Sequence, residues 1–119
     1  MKLIILNWPC GVGKSTIAEM VRDALPMSFL IDVDAQRRFI GKYNAEEYRQ
    51  SSGKLSFLVA LGIAEVCLAD GRDVIVDKFI MKDPNMIDKF IELGRKNNAE
   101  VFEIILWAEK DIVLKRAED

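Results

Sequence analysis

A nine-residue segment, WPCGVGKST at positions 8–16, separates two stretches of opposite character near the start of the chain. The stretch before it, Leu3–Leu6, is short and entirely apolar, which is typical of a buried parallel strand. In the stretch after it, apolar residues recur at the spacing of one helix face as far as Pro26, which ends a helix. These apolar residues are Ile17, Met20, Val21, Ala24 and Leu25. The sequence therefore predicts a strand, a glycine-containing loop and a helix, in this order.

The loop has the residue types of a phosphate-binding loop. Its Gly-Lys-Ser matches the end of the Walker A pattern G-x-x-x-x-G-K-[ST], whereas Trp8 stands at the first glycine position. Consecutive backbone N–H groups and the N-terminus of a helix can surround the phosphates of a nucleotide, and glycines let the chain approach them closely. Lys14 adds a full positive charge, and the Ser15 hydroxyl can bind Mg²⁺. We predict that ATP and Mg²⁺ bind here, with Trp8 directed away from the phosphates. The binding residues would be Gly11, Val12, Gly13, Lys14, Ser15 and Thr16. The alternative is a turn that binds nothing.

Size and composition exclude several classes of protein. A chain of 119 residues is long enough for one domain with a hydrophobic core, residues 1–119. Its 17 basic and 19 acidic residues give a net charge of −2 without a basic block, which argues against duplex nucleic acid as a partner. It has no histidine and two cysteines, so histidine-based triads and most zinc sites are excluded. Because no signal peptide and no apolar run of membrane-spanning length is apparent, we expect a cytoplasmic protein with no membrane partner. We expect it to be a monomer or a homodimer.

Strand-like and helical patterns alternate along the rest of the chain, which predicts a parallel sheet covered by helices on both faces. Further strands are expected at 29–33, 74–76 and 101–106. A long helical region at 45–69 is expected to be interrupted near 51–53, and its later half should be buried on more than one side because it is apolar nearly all round. Gly71 fits the left-handed position after that helix. A helix should begin at Asp83-Pro84, with Ile87, Phe90, Ile91 and Gly94 on one face, and a last one near Ile112, Val113 and Ala117.

Acidic residues follow two of the predicted strands, at the edge where ligands of parallel sheets bind. Asp77 closes the third strand, where a Walker B carboxylate would hold Mg²⁺ beside the Ser15 hydroxyl; the alternative is an aspartate that caps the next turn. Asp32 and Asp34 lie at the end of the second strand and share one face if the strand persists. Asp34 and Arg37, one helical turn apart, could supply a carboxylate for an acceptor hydroxyl and a cation for the transferred charge. On spacing alone, it is equally consistent that Asp34 is only a helix cap and Arg37 only a solvated side chain.

Three features together resemble the small P-loop kinases, a group that includes zeta-toxin-like and chloramphenicol phosphotransferase-like enzymes, adenylylsulfate kinase and polynucleotide kinases. They are the strand Ile4–Asn7, the loop ending in Gly13–Thr16, and the pattern Asp32-x-Asp34-x-x-Arg37. The resemblance covers essentially the whole chain and implies a three-layer α/β sandwich with about four parallel strands in the order 2-3-1-4. It implies that Asp34 handles the acceptor hydroxyl and that Arg37 contacts the substrate, with Asp32 beside them.

The resemblance also implies a function. We expect an enzyme, an ATP-dependent kinase that moves the γ-phosphate of Mg·ATP to a hydroxyl of a small-molecule acceptor. Its catalytic residues would be Lys14, Asp34 and Arg37, and Ser15 and Asp77 would hold the metal. Members of the group continue into an arginine-bearing lid and a fifth strand, whereas this sequence stops at Asp119, so we expect a truncated domain. The alternatives are an ATP- or GTP-binding module without catalysis, and an NTPase switch.

Overall fold

A single five-stranded sheet organises the molecule, with strand order β2-β3-β1-β4-β5. The computed structural model describes residues 1–8, 14–79, 84–108 and 111–116. The strands are β1 (Lys2–Trp8), β2 (Phe29–Asp32), β3 (Val74–Phe79), β4 (Glu100–Ala108) and β5 (Asp111–Arg116). The helices are α1 (Lys14–Ala24), α2 (Arg49–Ala69) and α3 (Pro84–Lys96), and two short 3-10 helices, Ala35–Phe39 and Glu46–Tyr48, precede α2.

The parallel part of the sheet has the predicted order 2-3-1-4, because β1 pairs in parallel with both β3 and β4, and β3 pairs in parallel with β2. The fifth strand corrects one expectation. Residues 111–116 form β5, antiparallel to β4, where a last helix was predicted, and this strand adds to the four parallel strands that were expected. The helical prediction rested on a few apolar residues, Ile112 and Val113 among them, but β-branched residues fit a strand better. Here they pair with Leu106 and Ile105 of β4.

Two hydrophobic clusters, one on each face of the sheet, form the core. On one face, α2 and α3 pack against Leu3, Ile5, Ile31, Val74, Val76 and Val101. On the other, α1 packs against Ile4, Leu6 and Ile75. Alternate side chains of β1 thus belong to the two different clusters, because successive side chains of a strand point to opposite faces of the sheet and both faces are buried here. The α1 face that contacts the sheet consists of Ile17, Ala18, Val21 and Leu25. Met20, predicted to be on this face, is 66% exposed and lies outside it.

Helix α2 differs from its predicted form in two ways. It runs without a break through residues 51–53, and the buried Ser52 and Ser56 hydroxyls each donate to a carbonyl one turn earlier in the helix. It is also buried on one face only, since it packs on the sheet and on α3 with Phe57, Ala60, Ala64 and Leu68. The opposite face exposes Leu55, Leu58, Val59 and Val66. Within the described residues, the second 3-10 helix and α2 together, residues 46–69, are long and apolar enough to cross a membrane, with a mean hydropathy of 1.6 over an 18-residue window, whereas no such run was expected.

The ends of α2 and α3 follow the sequence closely. Gly71 has a φ of 79° after α2, its N–H donates to Leu68 O, and the next N–H donates to Cys67 O, which together form the predicted left-handed helix end. Helix α3 begins at Pro84 as predicted, while Asp83 lies outside the described residues. Its buried face carries Phe90, whose ring meets that of Phe57 edge-on at 5.6 Å between centroids.

Candidate functional site

The start of α1 lies at the carboxyl edge of the sheet, after the central strand β1. Helix α1 begins at Lys14, as predicted, so Lys14, Ser15 and Thr16 form its first turn. The other predicted phosphate-binding residues, Gly11, Val12 and Gly13, lie outside the described residues. Trp8 is the last residue of β1 and pairs in register with Phe79 of β3. A helix N-terminus directly behind a central parallel strand is the position from which backbone N–H groups can bind phosphate.

Asp77 lies inside β3 rather than at its end, because the strand continues to Phe79. Asp77 is paired in register with Leu6 of β1 on one side and with Asp32 of β2 on the other. Its side chain is 5% exposed, and register with Leu6 places it on the face of the sheet that α1 covers. The structure thus places a buried carboxylate next to the strand that leads into the loop.

The two aspartates after β2 do not share a strand face, contrary to expectation. β2 ends at Asp32, and Asp34 already has helical backbone angles of −70° and −33° in front of the first 3-10 helix. Asp32 Oδ1 accepts a hydrogen bond from Ala35 N at 3.1 Å, whereas the Asp34 side chain makes no capping hydrogen bond. The carboxylate that stabilises the start of this helix therefore belongs to Asp32.

Arg37 is held against the beginning of α2 by hydrogen bonds. Its Nη2 donates to Arg49 O at 3.0 Å and to Ser52 Oγ at 3.3 Å. Ser52 is 3% exposed, and its hydroxyl also lies within hydrogen-bond distance of Tyr43 O and Arg49 O, at 3.0 and 2.9 Å. Arg37 Nε is buried and has no hydrogen-bond partner among the described residues. Arg37 is thus a fixed, half-buried cation, in contrast to its exposed neighbour Arg38.

A cavity of about 570 Å³ opens at the carboxyl end of β2, where the first 3-10 helix, the first turns of α2 and the start of α3 meet. Asp34 and Arg37, the predicted acceptor-side pair, both line it. Arg49 and Lys54 of α2 line it as well, and Phe57 and Met86 supply apolar wall. The cavity therefore combines an apolar surface with a few charged groups, as small-molecule sites commonly do.

Sequence reasoning predicted Asp34 and Arg37 on the acceptor side, but it did not identify Arg49, Ser52 or Lys54. No motif marks them, because their place depends on how the first 3-10 helix packs on α2. The sequence did contain one indication of a close-packed helix face in this region. Small residues recur every four positions in α2, at Ser52, Ser56 and Ala60, and all three are buried.

The described side chains also bear on metal binding and on thiol chemistry. Among the described residues, no group of three or more histidine, cysteine, aspartate or glutamate side chains is arranged to hold a metal ion. This does not conflict with a magnesium site, since Mg²⁺ is usually bound by one or two carboxylates together with water and phosphate.

Burial, and to a smaller extent the charge of Asp70, raises the pKa of the Cys67 thiol, so this cysteine is not set up as a thiolate nucleophile.

Comparison with known proteins identifies the fold. The structure is similar to that of a "putative kinase" from Chloroflexus aurantiacus J-10-fl, with a TM-score of 0.68 and 17% sequence identity, over 87% of this chain and 57% of that chain. It is also similar to a mutant of the APS kinase CysC from Mycobacterium tuberculosis, with a TM-score of 0.62 and 15% identity, over 99% of this chain and 80% of that chain. This chain thus spans a little over half the length of the Chloroflexus protein. No protein-family model and no curated protein matches the sequence. The chain has the fold of the small P-loop kinases.

Proposed function

We propose that this chain is a kinase that transfers the γ-phosphoryl group of Mg·ATP to a hydroxyl of a small-molecule acceptor. The observation that carries the proposal is a juxtaposition at one edge of the sheet. The helix that begins with Lys14, Ser15 and Thr16 starts behind β1, and the cavity lined by Asp34 and Arg37 opens at the end of β2. A phosphate-binding helix start and an acceptor-sized cavity at the same edge are what phosphoryl transfer between two bound molecules requires.

The nucleotide side of the proposal rests on residue types at the end of β1. Lys14 and the N–H groups of the first turn would bind the β- and γ-phosphates. Ser15 and Asp77 would hold Mg²⁺, because a hydroxyl and a buried carboxylate supply the oxygen ligands that this ion prefers. When bound, the ion would neutralise charge on the phosphates. Trp8, as the last residue of β1, would lie at the margin of the loop.

On the acceptor side, Asp34 would accept the proton of the acceptor hydroxyl. The hydroxyl oxygen then forms a bond to the γ-phosphorus while the bond from that phosphorus to the β–γ bridging oxygen breaks, and ADP leaves. Arg37 is suited to bind acceptor or transferred phosphoryl group because its hydrogen bonds to α2 hold the guanidinium in place before any ligand binds. Asp32, which stabilises the start of the 3-10 helix, would position this segment.

A second candidate is a nucleotide-binding module that does not transfer phosphate. Trp8 at the first glycine position of the Walker A pattern favours it, because a bulky residue there departs from the glycine that lets a phosphate approach closely.

Transfer from γ-labelled ATP to a panel of small alcohols, sugars and nucleosides, some of them phosphorylated or carboxylated, separates the two candidates. The parent protein should label at least one acceptor class. Asp34→Asn should abolish labelling while Mg·ATP affinity stays the same, and Asp23→Asn, which removes an exposed carboxylate of α1, should leave both unchanged. Labelling by Asp34→Asn at the parent rate would show that Asp34 is not the base. ATP binding without transfer to any member of the panel would favour the second candidate.

A further inference from the structure

We infer that the acceptor carries an anionic group, a phosphate, sulfate or carboxylate, which binds to Arg49 and Lys54 of α2 together with Arg37. This inference rests on the proposed function, since it names the chemical class of the molecule that the cavity beside Asp34 takes. It adds two residues that no sequence motif marks, one at the first position of α2 and one five residues later.

The charges around the cavity are distributed unevenly. Among the described residues that line it, three have cationic side chains, Arg37, Arg49 and Lys54, and one, Asp34, has a carboxylate, so these residues carry a net charge of +2. The whole chain has a net charge of −2. A positive concave surface on a negatively charged molecule concentrates anions, and its apolar walls strengthen the field that they experience. A neutral acceptor would leave these three cations with only the Asp34 carboxylate as a counter-charge among the described lining residues.

The three cations are also arranged around a common structural element. Arg37 Nη2 donates to the carbonyl of Arg49 itself, so the guanidinium of Arg37 is fixed at the point where α2 begins. Lys54 follows Arg49 at a spacing of five residues and lines the same cavity. Arg37 itself lines the cavity, although its Nε is buried and has no hydrogen-bond partner among the described residues. Guanidinium groups bind phosphate and carboxylate through paired N–H donors, and a lysine adds a mobile point charge.

The remaining lining indicates how the acceptor would lie. Asp34 is the one acidic residue among those that the structure describes in the lining, and it follows β2 at the edge of the sheet where α1 begins. An acceptor with its anionic group on the three cations would therefore direct its hydroxyl toward Asp34. Its middle part would contact Phe57 and Met86. A volume of about 570 Å³ accommodates a molecule of metabolite size.

The test uses glycerol 3-phosphate as the probe, because it joins a hydroxyl group to a phosphate, and glycerol as its neutral counterpart. Binding is measured on the full chain carrying Lys14→Ala, which removes the charge of the nucleotide site as a competing anion site, by amide chemical shifts of residues 34–37 and 49–54. Glycerol 3-phosphate should shift these signals, with an affinity that falls as ionic strength rises, and glycerol should not. Adding Arg49→Gln and Lys54→Gln should weaken binding at least about tenfold, since each removes a charge-assisted contact.

The matched control is Arg38→Gln, which removes an exposed cation next to Arg37 that does not line the cavity. It should leave the affinity unchanged, and thermal unfolding should show that all variants fold. The inference is overturned if the double variant binds glycerol 3-phosphate as tightly as Arg38→Gln, if glycerol binds equally well, or if glycerol 3-phosphate does not bind.

A separate titration of the parent protein with Mg·ATP distinguishes the two proposals. Anion binding without ATP binding refutes the kinase proposal, and ATP binding without anion binding refutes this inference alone.

Discussion

The hydroxyl of Ser52 connects the acceptor-side cation to the scaffold, and its removal has a predictable cost. Ser52 Oγ lies 3.0 Å from Tyr43 O, 2.9 Å from Arg49 O and 3.3 Å from Arg37 Nη2, and the residue is buried. Its single proton satisfies one carbonyl at a time, while its lone pair accepts from Arg37. Ser52→Ala therefore removes about two hydrogen bonds, each with a net value of about 1 kcal/mol, and gains about 0.5 kcal/mol of helix propensity. We expect a loss of roughly 1–2 kcal/mol in the free energy of unfolding.

Ser56→Ala is the matched control. Ser56 is also buried in α2, and its hydroxyl donates to Gly53 O at 2.8 Å, one turn earlier, but not to the segment that carries Arg37. It should lose about one hydrogen bond and gain the same propensity, so the net change should be below about 1 kcal/mol. Urea unfolding of both variants gives the difference between them, and titration with glycerol 3-phosphate reports on Arg37. Ser52→Ala should bind the probe several-fold more weakly, whereas Ser56→Ala should bind it as the parent does. Equal unfolding free energies and equal affinities in the two variants would refute a positioning role for Ser52.

Two further predictions concern packing and thiol chemistry. A Cβ atom at Gly94 would lie 2.6 Å from Val101 Cγ2 and 3.0 Å from Leu3 Cδ2, both in the core, while nothing lies within 4 Å of a Cβ at Gly62. Gly94→Ala should therefore be less stable than Gly62→Ala by roughly 1–3 kcal/mol in urea unfolding, since both gain similar propensity and only one is overpacked; equal stabilities would contradict this packing. Because burial and Asp70 raise the pKa of Cys67, its alkylation at pH 8, followed by peptide mass spectrometry, should be slower than that of an unstructured cysteine peptide. Asp70→Asn should speed it, and no change would exclude the charge of Asp70 as a cause.

The parallel sheet could be predicted because local patterns agreed with the global arrangement. Leu3–Leu6 is buried on both faces as a central strand should be, and Gly71 takes the left-handed conformation that its place after a helix indicated. Elements at the margin of the fold were predicted less well. For β5, a few apolar residues were compatible with a helix or a strand, and pairing with β4 decided the outcome. For α2, uniform apolarity predicted burial on several sides, but the sheet and α3 cover only one.

In the candidate site, too, the features set by local sequence could be predicted and those set by tertiary contacts could not. Motif spacing predicted that Lys14 begins a helix and that Asp77 lies at a strand next to β1. Both positions could be predicted because each is determined by a short segment of the chain. The roles of Asp32 and Asp34 at the helix start could not be separated by spacing, since either aspartate can cap and only backbone angles distinguish them. Ser52 and Arg49 contact Arg37 from 12 to 15 residues further along the chain, and such contacts depend on tertiary packing.

Binding of Mg·ATP at the start of α1 is the central claim, and isothermal titration calorimetry tests it most directly. The parent protein should bind Mg·ATP with one site per chain. Lys14→Ala should weaken binding roughly 10- to 100-fold, because a charged contact to the phosphates is lost. Lys96→Ala, which removes an exposed lysine at the end of α3, should bind as the parent does. The same affinity for Lys14→Ala and Lys96→Ala, or no binding by the parent protein, would contradict the claim.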